Sequence, residues 1–104
     1  MTTAADIFEA MPSRLDADKA AGINVVIGWD LSGDEAASKT MTITDGVLTV
    51  EDGIGDDVNA TISMDSDDFV AMTTGELNPM MAFMGGKVKV DGDMSAVMKI
   101  QSIF

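Results

Sequence analysis

Few side chains in this sequence can serve as an acid, a base, a nucleophile or a metal ligand at neutral pH. The chain contains no His and no Cys, so it lacks the usual general base, the commonest metal ligand and the Ser-His and Cys-His nucleophile pairs. No carboxylate falls on a predicted apolar face, where burial would raise its pKa into a catalytic range. The residue types therefore predict a protein that binds without catalysis, and we expect no cofactor.

Two short motifs carry the residue types of an ion site or a phosphate site without the required spacing. Asp52, Asp56 and Asp57 offer the oxygen ligands that calcium prefers, but their loop lacks the alternation and the closing Glu of an EF-hand. We interpret it as a solvated turn, and cation binding there stays open. The segment Gly85-Gly86-Lys87 lacks the upstream Gly and the following Ser or Thr of a phosphate loop. Neither motif predicts a metal or phosphate site.

Methionines are concentrated in the three helices predicted after the fourth strand. A wall of methionines can repack around guests of different shape, because the side chain is unbranched and polarizable. Each one alone is better explained as core filling between helices and sheet. Their collective excess, in a chain where Leu is scarce, favours an apolar cavity over a rigid core. The residues are Met72, Met80, Met81, Met84, Met94 and Met98.

The first third of the chain predicts helix and then strand. Thr3 and Asp6 have the spacing of a capping box, and we expect Pro12 to end that helix near Met11 and to begin a second turn. Gly22 closes the helical segment. The strand NVVIGWDL follows, with Trp29 half in the core and half at its rim, and with its N–H bonded to solvent or backbone.

The dipeptide Asp45-Gly46 predicts a hairpin with a two-residue turn inside TMTITDGVLTV. This turn sets Thr44 opposite Val47 and Ile43 opposite Leu48. Continuing the register places Met41, Ile43, Leu48 and Val50 on one face, as a sheet with one buried face requires.

The second half predicts a strand, two short helices, a further strand and a terminal helix. The strand VNATISM ends where Asp65 or Ser66 caps a helix that Gly75 terminates. Asn78 and Pro79 begin the next helix, and Gly85 and Gly86 end it. The strand KVKVDGD follows, and Asp93 caps the last helix.

The terminal helix has one polar residue out of place. At about 100° per residue, Ser95, Lys99 and Ser102 form a polar face, with Val97, Ile100 and Phe104 opposite. Gln101 falls inside the apolar arc, where an unpaired amide would cost about 1–3 kcal/mol. It either reaches a backbone group or solvent at the helix end, or it is a polar group inside a ligand cavity.

The net charge of -12 and the pI near 4.1 exclude nucleic acid as an expected partner, because phosphates are repelled over a Debye length of about 10 Å at 0.1 M salt. No apolar stretch approaches the roughly 20 residues of a membrane span, and the start MTTAADIFEA lacks the regions of a signal peptide. We expect a cytoplasmic protein with one domain over residues 1–104.

Taken together, these segments resemble the sterol carrier protein type 2 family of nonspecific lipid-transfer proteins. The most specific stretches are VNATISMDSDDFVAMTTGELNP and AFMGGKVKVDGDMSAVMKIQSIF, which come in the family's order and spacing. The resemblance implies an α+β fold in which helices cover one face of a five-stranded, mostly antiparallel sheet, with an apolar tunnel between the layers.

The resemblance also implies a function and a site. Members bind fatty acids, fatty acyl-CoA, sterols and other lipids without chemistry, and residues of their helices line the tunnel. The corresponding positions here are Phe69, Met72, Met80, Phe83, Met84, Met94, Val97, Met98 and Gln101. The match at Gln101 agrees with its unusual place on the helical wheel.

Two features refine this expectation. The chain ends Ser102-Ile103-Phe104 instead of the S-K-L type signal of many eukaryotic members, so no peroxisomal address is expected. Its length is similar to that of small stand-alone prokaryotic members, which makes sterol the less favoured ligand. We expect a monomer or weak dimer that meets a membrane or enzyme acceptor transiently. The alternative function is an interaction module whose apolar helical face is buried against a partner chain.

Overall fold

A five-stranded sheet organises the fold of this chain. The computed structural model describes residues 3–102, except for the side chains at positions 79, 101 and 102. The elements in chain order are α1 (Ala4–Arg14), α2 (Ala17–Ala20), β1 (Asn24–Ser32), β2 (Ala37–Thr44), β3 (Val47–Asp52), β4 (Ala60–Asp65), α3 (Ser66–Thr73), α4 (Pro79–Met84), β5 (Val88–Gly92) and α5 (Met94–Ser102).

The strands are arranged in the order β3-β2-β1-β4-β5. The pairs β1–β2, β2–β3 and β4–β5 are antiparallel, whereas β1 and β4 are parallel. This arrangement confirms the predicted α+β class and the mostly antiparallel sheet. The predicted domain limits of residues 1–104 stay a prediction.

The hairpin between β2 and β3 has the register that the sequence predicts. Thr44 pairs with Val47 and Ile43 pairs with Leu48. The turn residues Asp45 and Gly46 have φ values of 46° and 85°, the positive values that a type I′ turn requires at both positions. The Asp45 carboxylate also accepts a hydrogen bond of 2.9 Å from the backbone N–H of Gly22, which connects this turn to the end of the helical segment.

The helices cover the face of the sheet on which alternate residues of β1 are buried. Val25, Ile27 and Leu31 lie on this face and are almost fully inaccessible to solvent. They share one core with buried side chains of α1, α3 and α5, including Phe8 and Val97. Burial of each large apolar side chain contributes roughly 1.5–3 kcal/mol, so these contacts fix the helices over the sheet.

Helix α1 continues through Pro12, which corrects the prediction that the helix ends near Met11. The capping box of Thr3 and Asp6 is present and fixes the start of the helix. On its inner side Phe8 and Met11 are buried, while Pro12 is exposed. The free energy gained by burying that inner side offsets the loss of the backbone hydrogen bond that the proline cannot donate.

The three helices of the second half begin at the predicted caps. The side chains of Asp65, Asn78 and Asp93 accept backbone hydrogen bonds of 2.8, 2.9 and 2.9 Å at the starts of α3, α4 and α5. Each bond satisfies one of the N–H groups that a helix leaves unpaired at its start. Within residues 3–102 no helix combines the length and the apolar character that crossing a bilayer demands.

The cap of α5 predicts a pH-dependent contribution to stability. The pKa of Asp93 lies below its usual range, first because Ser95 Oγ donates to Oδ1 at 2.6 Å and then because the Ser95 backbone N–H donates to the same oxygen. A carboxylate with a lowered folded-state pKa stabilises the fold above the unfolded-state pKa, and this stabilisation is lost as the pH falls through the folded-state value.

We therefore expect Asp93→Ala to lower the midpoint of urea unfolding at pH 7. The difference from the parent chain should shrink below about pH 4, because the carboxylate of the unfolded chain begins to bind its proton there and the folded-state carboxylate follows at lower pH. Urea titrations of both proteins at pH 7 and pH 3 check this. An equal difference at the two pH values would show that the Asp93 charge does not support α5.

Candidate functional site

The predicted site residues fall into three groups by exposure, and the first group belongs to the core. Phe69 is 0% exposed, and its ring stacks on Phe8 with the centroids 5.0 Å apart. Its centroid also lies 5.3 Å from that of Trp29. Val97 on α5 is buried in the same cluster. Phe69 and Val97 therefore belong to the hydrophobic core between the sheet and the helices.

In the second group, Met72 is the one predicted residue of intermediate exposure among those whose side chains the structure describes. Met72 on α3 is half-buried and packs against the core cluster. Gln101 lies in α5, but its side chain is outside the described residues. Its predicted role at a polar end of the site stays a prediction.

The third group is exposed and forms the most unusual surface of the molecule. Met80, Phe83, Met84, Met94 and Met98 are each between 41% and 78% exposed, and Met81 joins them. Among the described residues, six of the eight exposed large apolar side chains lie between positions 80 and 98. We call these six residues the methionine face.

The direction of these side chains follows from the helix geometry. In α4 only Ala82 among the described side chains is buried, and at about 100° per residue Met80 and Met84 lie about 160° away from it. In α5 Val97 and Ile100 are buried, and Met98 lies about 100° and about 160° from them. Both helices thus use small or branched residues against the protein and direct methionines outward.

The two helices contact different strands of the sheet. Helix α4 contacts β5, which is the edge strand beside β4, and α5 contacts β1 and β4. On the helix side of β5, Val88 and Val90 are only half-buried. The edge strand therefore adds apolar surface beside α4.

The described part of the chain does not show the predicted tunnel. A depression of about 360 Å³ lies beside the loop after β3, where Thr40, Asp52 and Ile54 line it. A second depression of about 300 Å³ lies between α1 and the β2–β3 hairpin, with Phe8 and Lys39 in its wall. None of the exposed predicted residues lines either depression, so the enclosed tunnel stays a prediction.

The acidic loop after β3 is held by local contacts. The Lys39 ammonium donates a hydrogen bond to Asp52 and keeps the pKa of that carboxyl below its usual range, first through the hydrogen bond and then through its charge. The Thr40 hydroxyl donates to the Gly53 carbonyl at 2.6 Å and accepts from the Gly55 N–H at 3.0 Å. No group of three potential metal ligands occurs among the residues that the structure describes.

Trp29 corrects the sequence interpretation. It is 5% exposed, so it lies in the core and not at the rim. Its buried indole nitrogen has no hydrogen-bond partner, and no other buried side-chain nitrogen or oxygen of the described residues shares this condition. Leaving a buried donor unpaired costs about 1–3 kcal/mol. The sequence does not predict this unpaired N–H, because strand alternation indicates the face of the sheet on which a side chain lies but not whether a hydrogen-bond acceptor lies near it.

Comparison with known proteins places the chain in a family. The model of the SCP-2 sterol transfer family matches residues 5–104. This chain belongs to the SCP-2 sterol transfer family. Hydroxysteroid dehydrogenase-like protein 2 of Xenopus tropicalis is 32% identical over 103 residues, which are 94% of this chain and 24% of that protein. The human protein named sterol carrier protein 2 is 29% identical over 103 residues, or 93% of this chain and 19% of that protein.

Solved structures of SCP-2 domains have the same fold. Sterol carrier protein 2 like 2 from Aedes aegypti superposes with a TM-score of 0.77 at 15% identity, covering 96% of this chain and 92% of that one. The sec-alkylsulfatase Pisa1 from Pseudomonas sp. superposes with a TM-score of 0.84 at 25% identity, covering 98% of this chain but 16% of the sulfatase. The chain thus spans about a quarter of its Xenopus relative and a smaller share of the sulfatase.

The division between core and exposed site residues predicts different stability effects. Phe69→Ala should lower the free energy of unfolding by about 3–5 kcal/mol, because it leaves a cavity among packed rings. Met84→Ala should change it by less than about 0.5 kcal/mol, because that side chain has little protein around it. Chemical denaturation of both variants measures the two values. Similar losses in both would mean that Met84 is packed in the folded protein.

Proposed function

We propose that this chain binds and carries a hydrophobic ligand without catalysis, and that the methionine face with its buried supports is the binding site. The ligand class is a fatty acid, a fatty acyl-CoA or another long-chain lipid, with sterol less favoured. The observation that carries the proposal is the exposure of six large apolar side chains on the two helices α4 and α5. Membership of the SCP-2 sterol transfer family supports it.

The chemistry of the face suits a ligand of variable shape. Contiguous apolar surface is rare on monomeric proteins and marks places where a ligand, a partner or a membrane is bound. Methionine adapts its three side-chain torsions to a guest, whereas branched residues hold one shape. The outward direction of Met80, Met84 and Met98 leaves them free to contact an acyl chain at the surface of α4 and α5.

The charge distribution also favours ligand binding at this end of the chain. Residues 77–104 carry three lysines and two aspartates, whereas residues 1–76 carry three cations and sixteen carboxylates. Lys87 and Lys99 are exposed within the same segment as the methionines. An anionic head group therefore meets less repulsion from the charges of this segment than from those of residues 1–76.

The magnitude of binding follows from the apolar contact. About 12 methylenes buried at about 0.8 kcal/mol each give a gross gain of about 10 kcal/mol. Association costs of several kcal/mol leave an affinity of about micromolar or weaker. Such affinity suits a carrier that must also release its ligand.

Within this proposal the nine predicted residues have different roles. Phe69 and Val97 support the site from the core, and Met72 connects the core to the surface. The exposed members contact the chain of the ligand, and Gln101 lies near its polar end. They are Met80, Phe83, Met84, Met94 and Met98.

Charge insertion tests the site. Met84→Asp and Met98→Asp should each weaken the binding of palmitate at least tenfold, because an unpaired carboxylate cannot be desolvated against an acyl chain. Equilibrium dialysis with radiolabelled palmitate measures the affinity.

The matched control is Val47→Asp on the opposite face of the sheet. Val47 and Met98 have nearly equal exposure, at 63% and 64%, so both changes place a carboxylate at an exposed apolar position. Palmitate affinity should stay unchanged in Val47→Asp. Equal losses in all three variants, or none in any, would reject the methionine face as the site.

The greater length of the related proteins favours a second candidate function, that of an interaction module. The segments that match this chain form 24% of the dehydrogenase-like protein and 16% of the sulfatase, so they occur beside other parts of larger proteins. An interaction module would bury the methionine face against a second copy or a partner chain. The same surface serves both functions.

Sedimentation separates the two functions. A carrier should sediment as a monomer at micromolar concentration, with or without palmitate. An interaction module should form a stable dimer that Met84→Asp dissociates, while Val47→Asp leaves it intact. Sedimentation equilibrium of the parent and the two variants measures this, and a ligand-free stable dimer would favour the module.

A further inference from the structure

The sulfur atoms of the methionine face are open to chemical modification. A thioether that meets solvent reacts with peroxide, and the product, methionine sulfoxide, is polar. We propose that peroxide oxidises the five methionines of this face in the folded protein and thereby releases the hydrophobic ligand. The site of oxidation follows from exposure, whereas the release rests on the proposed carrier function. The five residues are between 41% and 78% exposed, and they are Met80, Met81, Met84, Met94 and Met98.

The rest of the chain offers peroxide little competition. The sequence contains no Cys, whose thiolate is ordinarily the side chain most readily oxidised. The single tryptophan, Trp29, is only 5% exposed. Met11, Met41 and Met64 are buried in the core, at 6% exposure or less. Among the residues that the structure describes, the methionine face therefore holds the most accessible oxidisable side chains.

Each oxidation transfers two electrons from a sulfur atom to hydrogen peroxide. A lone pair of the sulfur attacks one peroxide oxygen, the O–O bond breaks, and the sulfur–oxygen bond of the sulfoxide forms. The other peroxide oxygen leaves as water. The reverse step uses two thiols, which become a disulfide while the sulfoxide oxygen leaves as water. Sulfoxide reductases catalyse this reduction, with one enzyme for each epimer at sulfur, so the modification is reversible.

Oxidation of this face affects binding more than folding. Water satisfies the sulfoxide oxygen on the free protein, but contact with an acyl chain removes that water and provides no donor in its place. The folded state loses little, because changes at exposed side chains have small effects on stability. The core methionines Met41 and Met64 are shielded from peroxide by burial. The ligand therefore leaves a protein that stays folded.

Peptide mapping of the ligand-free parent protein tests where peroxide reacts. The folded protein is treated with hydrogen peroxide at pH 7, digested with an aspartate-specific protease, and analysed by tandem mass spectrometry at successive times. The five methionines of the face should oxidise at least about tenfold faster than Met11, Met41 and Met64, because susceptibility follows exposure. Equal rates in the two groups would overturn the inference.

Palmitate binding tests the consequence of oxidation. Equilibrium dialysis of the peroxide-treated parent protein should give an affinity at least about tenfold lower than before treatment, while its far-UV circular dichroism stays the same. Reduction with dithiothreitol and both sulfoxide reductases should restore the affinity. Undiminished affinity after oxidation of the face, or loss of the helical signal, would contradict the inference.

A variant without the exposed sulfurs shows whether they cause the loss. Leu keeps the apolar character and approximate volume of Met but has no oxidisable atom. Palmitate affinity of the combined variant should be the same before and after peroxide, whereas Met41→Leu, at a position with 0% exposure, should lose affinity as the parent does. Equal losses in the combined variant and the parent would reject the inference. The combined variant carries Met80→Leu, Met81→Leu, Met84→Leu, Met94→Leu and Met98→Leu.

The outcomes separate this inference from the proposed function. An untreated parent protein that does not bind palmitate rejects the carrier function and, with it, release by peroxide. Palmitate binding that survives oxidation of the face keeps the carrier function and rejects release by peroxide. If the combined variant does not fold, recovery of binding in the parent protein after treatment with the two reductases decides alone.

Discussion

The pairing of strand β1 with two neighbours is the constraint on which the rest of the structure depends. β1 is antiparallel to β2 and parallel to β4, so both of its edges are occupied and its helix side must be covered. Asn59 fixes the parallel neighbour, because its N–H donates to the Val26 carbonyl at 2.7 Å and its side chain accepts from the Val26 N–H at 2.8 Å. The rings of Phe8, Trp29 and Phe69 then close the space above the strand.

Local physics was sufficient to predict the parts of the fold that depend on adjacent residues. The Asp45-Gly46 turn determined the β2–β3 register, and Asp65, Asn78 and Asp93 determined where three helices begin. The parallel pairing of β1 and β4 joins residues more than thirty positions apart, and no periodicity in either strand specifies it. The resemblance to the family implied a five-stranded, mostly antiparallel sheet, but it did not specify this parallel pair.

The two positions where the sequence prediction was wrong, Pro12 and Trp29, show that tertiary packing can override local rules. A proline inside a helix removes one hydrogen bond, but burial on the inner side of α1 keeps the helix continuous. The sequence interpretation placed Trp29 half at the rim of the core with a paired N–H, whereas tertiary packing buries the ring and leaves the N–H unpaired. For the candidate site, the family resemblance named nine residues, and their membership of a binding site stays a prediction; their exposure was not predicted. Apolar side chains are normally buried, so the outward direction of Met84 and Met98 follows only from which sides of α4 and α5 the protein core occupies.

The exposed and the buried parts of the proposed site meet opposite physical demands. Methionines adapt to many chain shapes, so they contribute affinity with little discrimination between ligands. Discrimination requires a polar group in a dry, fixed position, where a mismatch leaves that group unpaired. The buried part of the proposed site offers apolar groups instead, because Phe69 packs against Phe8 and Trp29 in the core. A carrier of this kind would accept many acyl chains and would select among them mainly by the apolar area that they bury.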